Sequence, residues 1–579
     1  MFASKINTAA SVNRLVLLAG ISAAALLATE AVQAAVPGIT GPNFNLTAGP
    51  ANISQPDGAS VYSWGYGCNG APTGFLPTQI GGATCNPMQI PGPTLIVHQN
   101  DQVSVTLTNN LPNAAGNTSI LFPGFNVSTS CSAAPPAVPA GVQGLLTCEA
   151  APNGTVTYTF KAGSPGTRAY YSGTQGDLQI EMGLFGAIIV LPSTSPSTNS
   201  VCGTLGALGM PGLPVTHPGN NRAARGHWGE ADFRLAAAAY DHPDTCYDRE
   251  YLFQFSEMDP VIHAQALAQV QRKGSCVAGA AGCSLSVPTE PYHPAYFMIN
   301  GRSMPDNMDP NYAAQYLHQP YNGNPHMHPG ELTLLRIIGT GRWQHPFHEH
   351  GNHVRILARD GNLITSATNI TYPAPPGGVG PVAAALAGPL LFTTTTTPGL
   401  AMDGIFYFTG RGLNWDMYGH PGKAGTTDLA AHPLCTPDAN GYNTGAPSAI
   451  NYFEWCQDHN KPMEKAPFGD VGGLGPMTLP DPNLFAYGAW WGGSPYLGPD
   501  ATTRATFGTP GCAPDPSCGT TGTTPPSGTI ANDPSSEAGY AFMWHSHNER
   551  EITTNNIFPG GMLMMMLVDS REFVIDESN

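Results

Sequence analysis

The sequence predicts an all-β protein in which two sandwich or barrel units follow one another, interrupted by long loop insertions. Two observations carry this. Over 579 residues only 11% are charged, while 69 Gly and 56 Pro break the chain at short spacing, a composition too apolar for disorder and too poor in charge for long helices. Between the breaks, β-branched and aromatic residues alternate with polar ones at period two, the pattern of half-buried strands.

The chain opens with a segment to set aside. Lys5 and Arg14 precede an apolar stretch from Leu15 to Ala28, about 14 residues against the roughly 20 needed to span a bilayer, and Val32-Gln33-Ala34 offers a processing site. Residues 1–34 therefore read as a signal peptide. No later segment is a candidate span, so the mature chain is expected to be secreted, periplasmic or at the cell surface, with no transmembrane segment. Twelve cysteines agree with an oxidising compartment. Nearest-neighbour pairing would join Cys68/Cys85, Cys131/Cys148, Cys202/Cys246, Cys276/Cys283, Cys435/Cys456 and Cys512/Cys518, although sequence alone does not fix connectivity.

The first β-unit is expected over 40–195, with strands at Thr94–His98, Val103–Thr108, Thr155–Phe160 and Ile180–Leu191. A Pro-, Gly- and Ala-rich stretch at 196–247 reads as a linker. The second unit, 248–570, opens with Glu250–Ser256 and a helical segment near Val261–Lys273. Strand signals recur at Tyr296–Asn300, Glu331–Ile338, His353–Ala358, Ile405–Thr409, Tyr540–His545 and Met562–Val568. The gap at about 410–539 is too long for a sandwich loop and reads as a large insertion. Thr393–Thr397 reads as a low-complexity loop. A net charge of −17 with no cluster of Lys or Arg excludes nucleic acid as a partner.

Chemistry concentrates in the histidines. Three stand in His345-Pro346-Phe347-His348-Glu349-His350-Gly351 and two in Trp544-His545-Ser546-His547. In a strand, residues i and i+2 share a face, so each His-x-His presents two imidazoles together, and two such strands side by side would converge four. That donor set suits copper or zinc. Strand histidines without a ligand role are the plain alternative. His326-Met327-His328 reads as a loop pair or an accessory copper site.

These segments resemble the multicopper oxidases, the cupredoxin-fold group that includes laccases and two-domain bacterial oxidases. The resemblance runs from about Phe44 to Val568. It rests on Pro91-Gly92-Pro93-Thr94, Asn100-Asp101 and Thr106-Leu107-Thr108-Asn109, on Gly183–Val190, on Ile299-Asn300-Gly301-Arg302, on the segment His345–Gly351, and on Trp544–His547 followed by Gly561-Met562. It implies tandem cupredoxin-type Greek-key β-sandwich domains and copper as cofactor. If the chain is an enzyme, it implies oxidation of a small-molecule or metal-ion substrate. Two-domain relatives place their cluster between subunits, so a homo-oligomer is compatible with it.

The chain departs from the family where most of the copper would sit. Leu121 and Pro123 occupy the positions of the first His-x-His pair, and Tyr171 and Gly173 those of the second, so four of the eight ligands of a trinuclear centre are missing. The His-Cys-His of the blue-copper site has become His545-Ser546-His547, and Glu551 stands where its second histidine would be. Glu549-Arg550-Glu551 reads as a solvated loop, with a hard-ligand contribution for a cation such as manganese as the alternative. The surviving metal candidates are His348, His350, His545 and His547, with His345 at the first blue-copper position and Met562 near the axial one. Fewer than four copper ions are expected. Two classes of function stay open: a copper oxidoreductase working at the remaining half-site, or a non-catalytic cupredoxin scaffold that binds or helps assemble copper.

Overall fold

The computed structural model describes residues 36–129, 131, 141–193, 232–328, 331–371, 382–408, 439, 489–490, 493–497, 530–531, 539–569, 575 and 577. The expected signal peptide, most of the expected linker and most of the 410–539 insertion lie outside them, as do Cys202, Cys435, Cys456, Cys512 and Cys518. Disulfides join Cys68 to Cys85, Cys131 to Cys148 and Cys276 to Cys283, three of the nearest-neighbour pairs.

The described residues are all-β in character, arranged as tandem β-sandwiches within one compact unit. In the first sandwich one sheet runs in the order Gly166–Tyr171, Phe185–Leu191, Leu95–His98, Gly38–Thr40, Phe75–Leu76. The other runs Ser60–Cys68, Asn43–Ser54, Gln102–Asn109, Thr155–Lys161, Ser128–Thr129. Period two is visible in the register. Val156, Tyr158 and Phe160 point inward opposite Val103, Val105 and Leu107, and all six join one core with Trp64, Tyr66 and Tyr170.

Two parts of this sandwich differ from the expectation. The long hairpin of Asn43–Ser54 and Ser60–Cys68 is hidden in sequence by Asn, Gly and Pro. Its glycines have a packing reason: a Cβ on Gly65 would come within 2.3 Å of the Gln89 carbonyl oxygen, and one on Gly67 within 2.1 Å of that of Asn86. The strand expected from Ile180 begins only at Phe185, because Gly176–Gln179 forms a helical turn and Gly183, at φ +115°, redirects the chain.

In the second sandwich, one sheet orders Tyr296–Ile299, Arg249–Met258, Leu332–Gly339, Ala401–Tyr407, Val354–Arg359 and Asn362–Leu363. The other orders His326–Met327, Leu563–Asp569, Gly539–Ser546, His345–Glu349 and Thr393–Thr396. Phe253, Phe347, Phe406, Trp544, Met562, Met564 and Met566 fill the space between. The threonine run is thus a strand and not a loop. Thr394 and Thr396 are buried while Thr395 is exposed, and β-branched residues suit a pleated edge.

The expected helix runs Pro260–Arg272, capped by Asp259, whose side chain accepts the Val261 N–H at 2.9 Å. Its Ile262 and Ala266 pack into the first sandwich. The two sandwiches also meet at Asp403, which accepts from Thr167 N at 3.1 Å, Thr167 Oγ1 at 2.6 Å and Tyr240 Oη at 2.5 Å. Tyr240 and Tyr247 are buried, so the C-terminal end of the segment read as a linker is packed structure.

Candidate metal centre

The site is built by the pairing of His345–Glu349 with Gly539–Ser546. They run antiparallel, with Phe347 opposite Ser546, His348 opposite His545 and Glu349 opposite Trp544. Backbone bonds carry the register past both strand ends: His350 N–H donates to the Met543 carbonyl at 3.4 Å and His547 N–H to that of Pro346 at 2.8 Å. Opposed residues share a face and neighbours alternate, so His348, His350, His545 and His547 all lie on the outward face. Ring centroids are 4.8 Å apart for His348 and His350, 4.9 Å for His348 and His547, 5.3 Å for His350 and His545, and 5.6 Å for His545 and His547. One ligand nitrogen each from His348, His350 and His545 falls within 4.8 Å of the others, the one such group of His, Cys, Asp or Glu among the described residues.

Two of these imidazoles, His348 and His545, are biased toward the neutral form. Burial, followed by the charges that His350, His545 and His547 would carry, lowers the pKa of His348 to about 4. Burial likewise lowers that of His545. Nδ1 of His545 lies 2.7 Å from the Ser546 carbonyl oxygen, which only accepts, so Nδ1 carries the proton and Nε2 the lone pair. His348 Nδ1 meets Thr393 Oγ1 at 2.8 Å, and Trp544 Nε1–H donates to the His350 carbonyl at 2.9 Å. Such outer partners fix ring orientation around a metal. Four imidazoles without thiolate or carboxylate are a donor set for one borderline divalent ion such as copper.

His345 does not join this group. It stands an odd number of residues from His348, so it points into the core with Phe347, Glu349, Trp544 and Ser546. Its Nε2 lies 2.9 Å from Glu257 Oε2 and its Nδ1 2.9 Å from Glu551 Oε2. Burial alone would lower its pKa, but the two carboxylates outweigh burial and raise it to about 9. Ser546 Oγ donates to the same Glu551 oxygen at 2.5 Å, and Asn548 Nδ2 to Glu551 Oε1 at 2.9 Å. With both ring nitrogens held, a serine in place of thiolate and a carboxylate in place of imidazole, this pocket does not fit blue copper.

Glu551 corrects the loop reading. Glu549 and Arg550 are exposed as expected, yet Glu551 is fully buried. Glu257 carried no sequence signal at all. It lies 88 residues from His345 and reaches it from the strand Arg249–Met258 in the other sheet. Met562, 0% exposed, bonds through its backbone to Ser546 and Glu551, and Met564 and Met566 are core.

The remaining candidates fall elsewhere. Leu121 and Tyr171 form a bridge, with Leu121 N–H donating to the Tyr171 carbonyl at 2.7 Å. Leu121 also fills the space over Gly173, where a Cβ would come within 2.8 Å of it. Leu121 is therefore a packing residue of the first sandwich. His326 belongs to a strand, its Nδ1 2.6 Å from Asp569 Oδ2, and Met327 is core.

Residues 81–195 match the family model described as multicopper oxidase. A laccase of Botryotinia fuckeliana, Laccase-3, is 36% identical over 106 residues, which is 18% of this chain. The match spans 21% of that laccase, so it reaches only a fraction of the relative's length. Among solved structures, the multicopper oxidase mgLAC aligns over 92% of this chain and 88% of its own at 13% identity and a TM-score of 0.39. A blue copper oxidase from Nitrosomonas europaea aligns over 90% and 85% at 12% identity and 0.38, and both superpositions are too loose to bear on function. The family match takes in the strands of the first sandwich after residue 81 and not the four before it, and the four histidines lie outside it.

Proposed function

We propose that this chain, whose residues 81–195 carry a multicopper oxidase domain, is an exported copper-binding protein that holds a single ion on His348, His350, His545 and His547. It works as a copper oxidoreductase of reduced complement, without the multi-copper relay. The observation that carries this is the convergence of four imidazoles on one outward sheet face, three of them with ligand atoms within 4.8 Å. Against a full copper complement stand Leu121, Pro123, Tyr171 and Gly173 in the first sandwich, and the occupied His345–Glu551 pocket in the second. The N-terminal charge and apolar pattern and three disulfides favour export.

A copper ion bound there would supply one-electron exchange with a small-molecule or metal-ion substrate. The chain's own residues do the rest. Ser546 C=O and Thr393 Oγ1 orient His545 and His348, Trp544 holds the turn at His350, and the exposed His547 leaves the centre accessible from outside. The non-catalytic reading, a scaffold that binds or helps assemble copper, rests on the same geometry.

Copper reconstitution separates the readings. The mature protein should retain about one copper per chain with a type 2 EPR signal and no intense blue band, and lose it in His348→Ala/His547→Ala. Near-zero retained copper sinks the proposal. One bound copper without oxidation of phenolic or metal-ion substrates leaves the binding scaffold as the function.

A further inference from the structure

The four histidines occupy the outward face of the two strands, and directly behind them lies a buried chain of charged and polar groups that the metal site does not use. Glu257, His345, Glu551 and Ser546 are all at most 3% exposed and are linked by contacts of 2.9, 2.9 and 2.5 Å. The chain ends at the turn that carries His547. That histidine lies just past the end of Gly539–Ser546 and is exposed, so strand pairing alone supplies a single backbone bond, to Pro346. Its two sequence neighbours are both tied to one carboxylate: Ser546 Oγ donates to Glu551 Oε2, and Asn548 Nδ2 donates to Glu551 Oε1 at 2.9 Å. The Asn548 N–H also donates to Ser546 Oγ at 3.2 Å, closing the turn. Glu551 itself is fixed through its backbone, accepting the Met562 N–H and donating to the Asn548 carbonyl, each at 2.8 Å.

We infer that Glu551, braced from behind by His345 and Glu257, is the positioning residue that holds His547 at the four-histidine cluster. The pocket whose cysteine and second histidine are replaced has become an orienting support for the ligands in front of it. A charge-assisted carboxylate held by a buried imidazole is a stiffer anchor than a solvated turn, and it grips both residues that flank the ligand. The copper part of this inference rests on the four histidines being a metal site; the anchoring of the turn does not.

Ser546→Ala/Asn548→Ala cuts both grips while leaving the Glu257–His345–Glu551 triad in place. Glu551→Ala removes the anchor itself, and Glu551→Gln keeps its size but offers a single acceptor oxygen where Ser546 and Asn548 each donate to one. In the metal-free protein, amide hydrogen exchange over residues 545–549 should quicken in Ser546→Ala/Asn548→Ala and in Glu551→Ala, and Glu551→Gln should fall between the parent and Glu551→Ala. With Cu(II) added, that double variant should lose about 10–100-fold in affinity and one coupled nitrogen in the EPR spectrum, as an outer-shell loss does. Adding His547→Ala to it should cost nothing beyond His547→Ala alone. Unchanged exchange in Ser546→Ala/Asn548→Ala overturns the inference, and so do copper losses that add in the combined variant. A parent protein that binds no copper sinks the metal-site reading, and the exchange measurement then decides the positioning by itself.

Discussion

Nδ1 of His345 lies 2.9 Å from Oε2 of Glu551, and neither side chain reaches solvent. With Glu257 on the other nitrogen, the imidazole is a buried cation between two carboxylates, its pKa raised to about 9 from the ordinary 6.5. A folded-state pKa above the unfolded one means stability that is fully present below pH 6.5 and lost as pH rises through about 9. Burial of Glu181, which raises its pKa from 4.5 to about 8, acts with the same sign at lower pH. Denaturant melts from pH 6 to pH 10 should therefore show stability falling over this window, and His345→Gln should flatten the upper part. A parent stability that rises between pH 6.5 and 9 would contradict the triad.

Restoring the cysteine should not restore a blue copper site. In Ser546→Cys, His345 still has both nitrogens on carboxylates and Glu551 still stands in place of an imidazole. Copper-loaded Ser546→Cys is expected to show no intense visible charge-transfer band. Such a band would mean that the triad opens readily for metal.

Loss of a cluster histidine should weigh more than loss of a distant one. His348→Ala and His545→Ala should each weaken copper binding by more than the roughly 10–100-fold typical of an outer-shell change. His326→Ala, which alters a residue bound to Asp569, should leave copper stoichiometry at the parent value. Competition titrations with a chelator of known affinity measure both.

Trp544 joins core and site. It is fully buried, packs edge-on against Phe253, Phe347 and Phe406, and donates to the His350 carbonyl. Trp544→Ala should cost about 3–5 kcal/mol in chemical denaturation. Trp544→Phe should cost less stability and still weaken copper, because the turn at His350 loses its donor.

Asp403 should behave as the fastener between the sandwiches. It accepts from Thr167 and Tyr240 and lies 3.7 Å from Arg336. Asp403→Ala leaves buried donors and part of a buried charge unmatched, and should destabilise by about 3–5 kcal/mol. A cost below about 1 kcal/mol in thermal or denaturant melts would show that the packed apolar surfaces hold the sandwiches together without it.

The sequence by itself determined the strand-rich architecture, because period-two alternation between Gly and Pro breaks is a local property of the backbone. It also determined that His348 and His350 share a face, as do His545 and His547, since i and i+2 do so in any strand. The same period sets His345, three residues from His348, on the opposite face, a signal that its grouping with the metal candidates leaves unused. Only the tertiary structure decided that the two His-x-His segments pair in the register that puts His348 against His545, because register depends on which core faces must be buried together. Only it turned Thr393–Thr396 into the neighbouring strand. And only it brought Glu257 from another sheet to His345 and buried Glu551: a carboxylate's partner is set by where the chain returns in space, which no local pattern encodes.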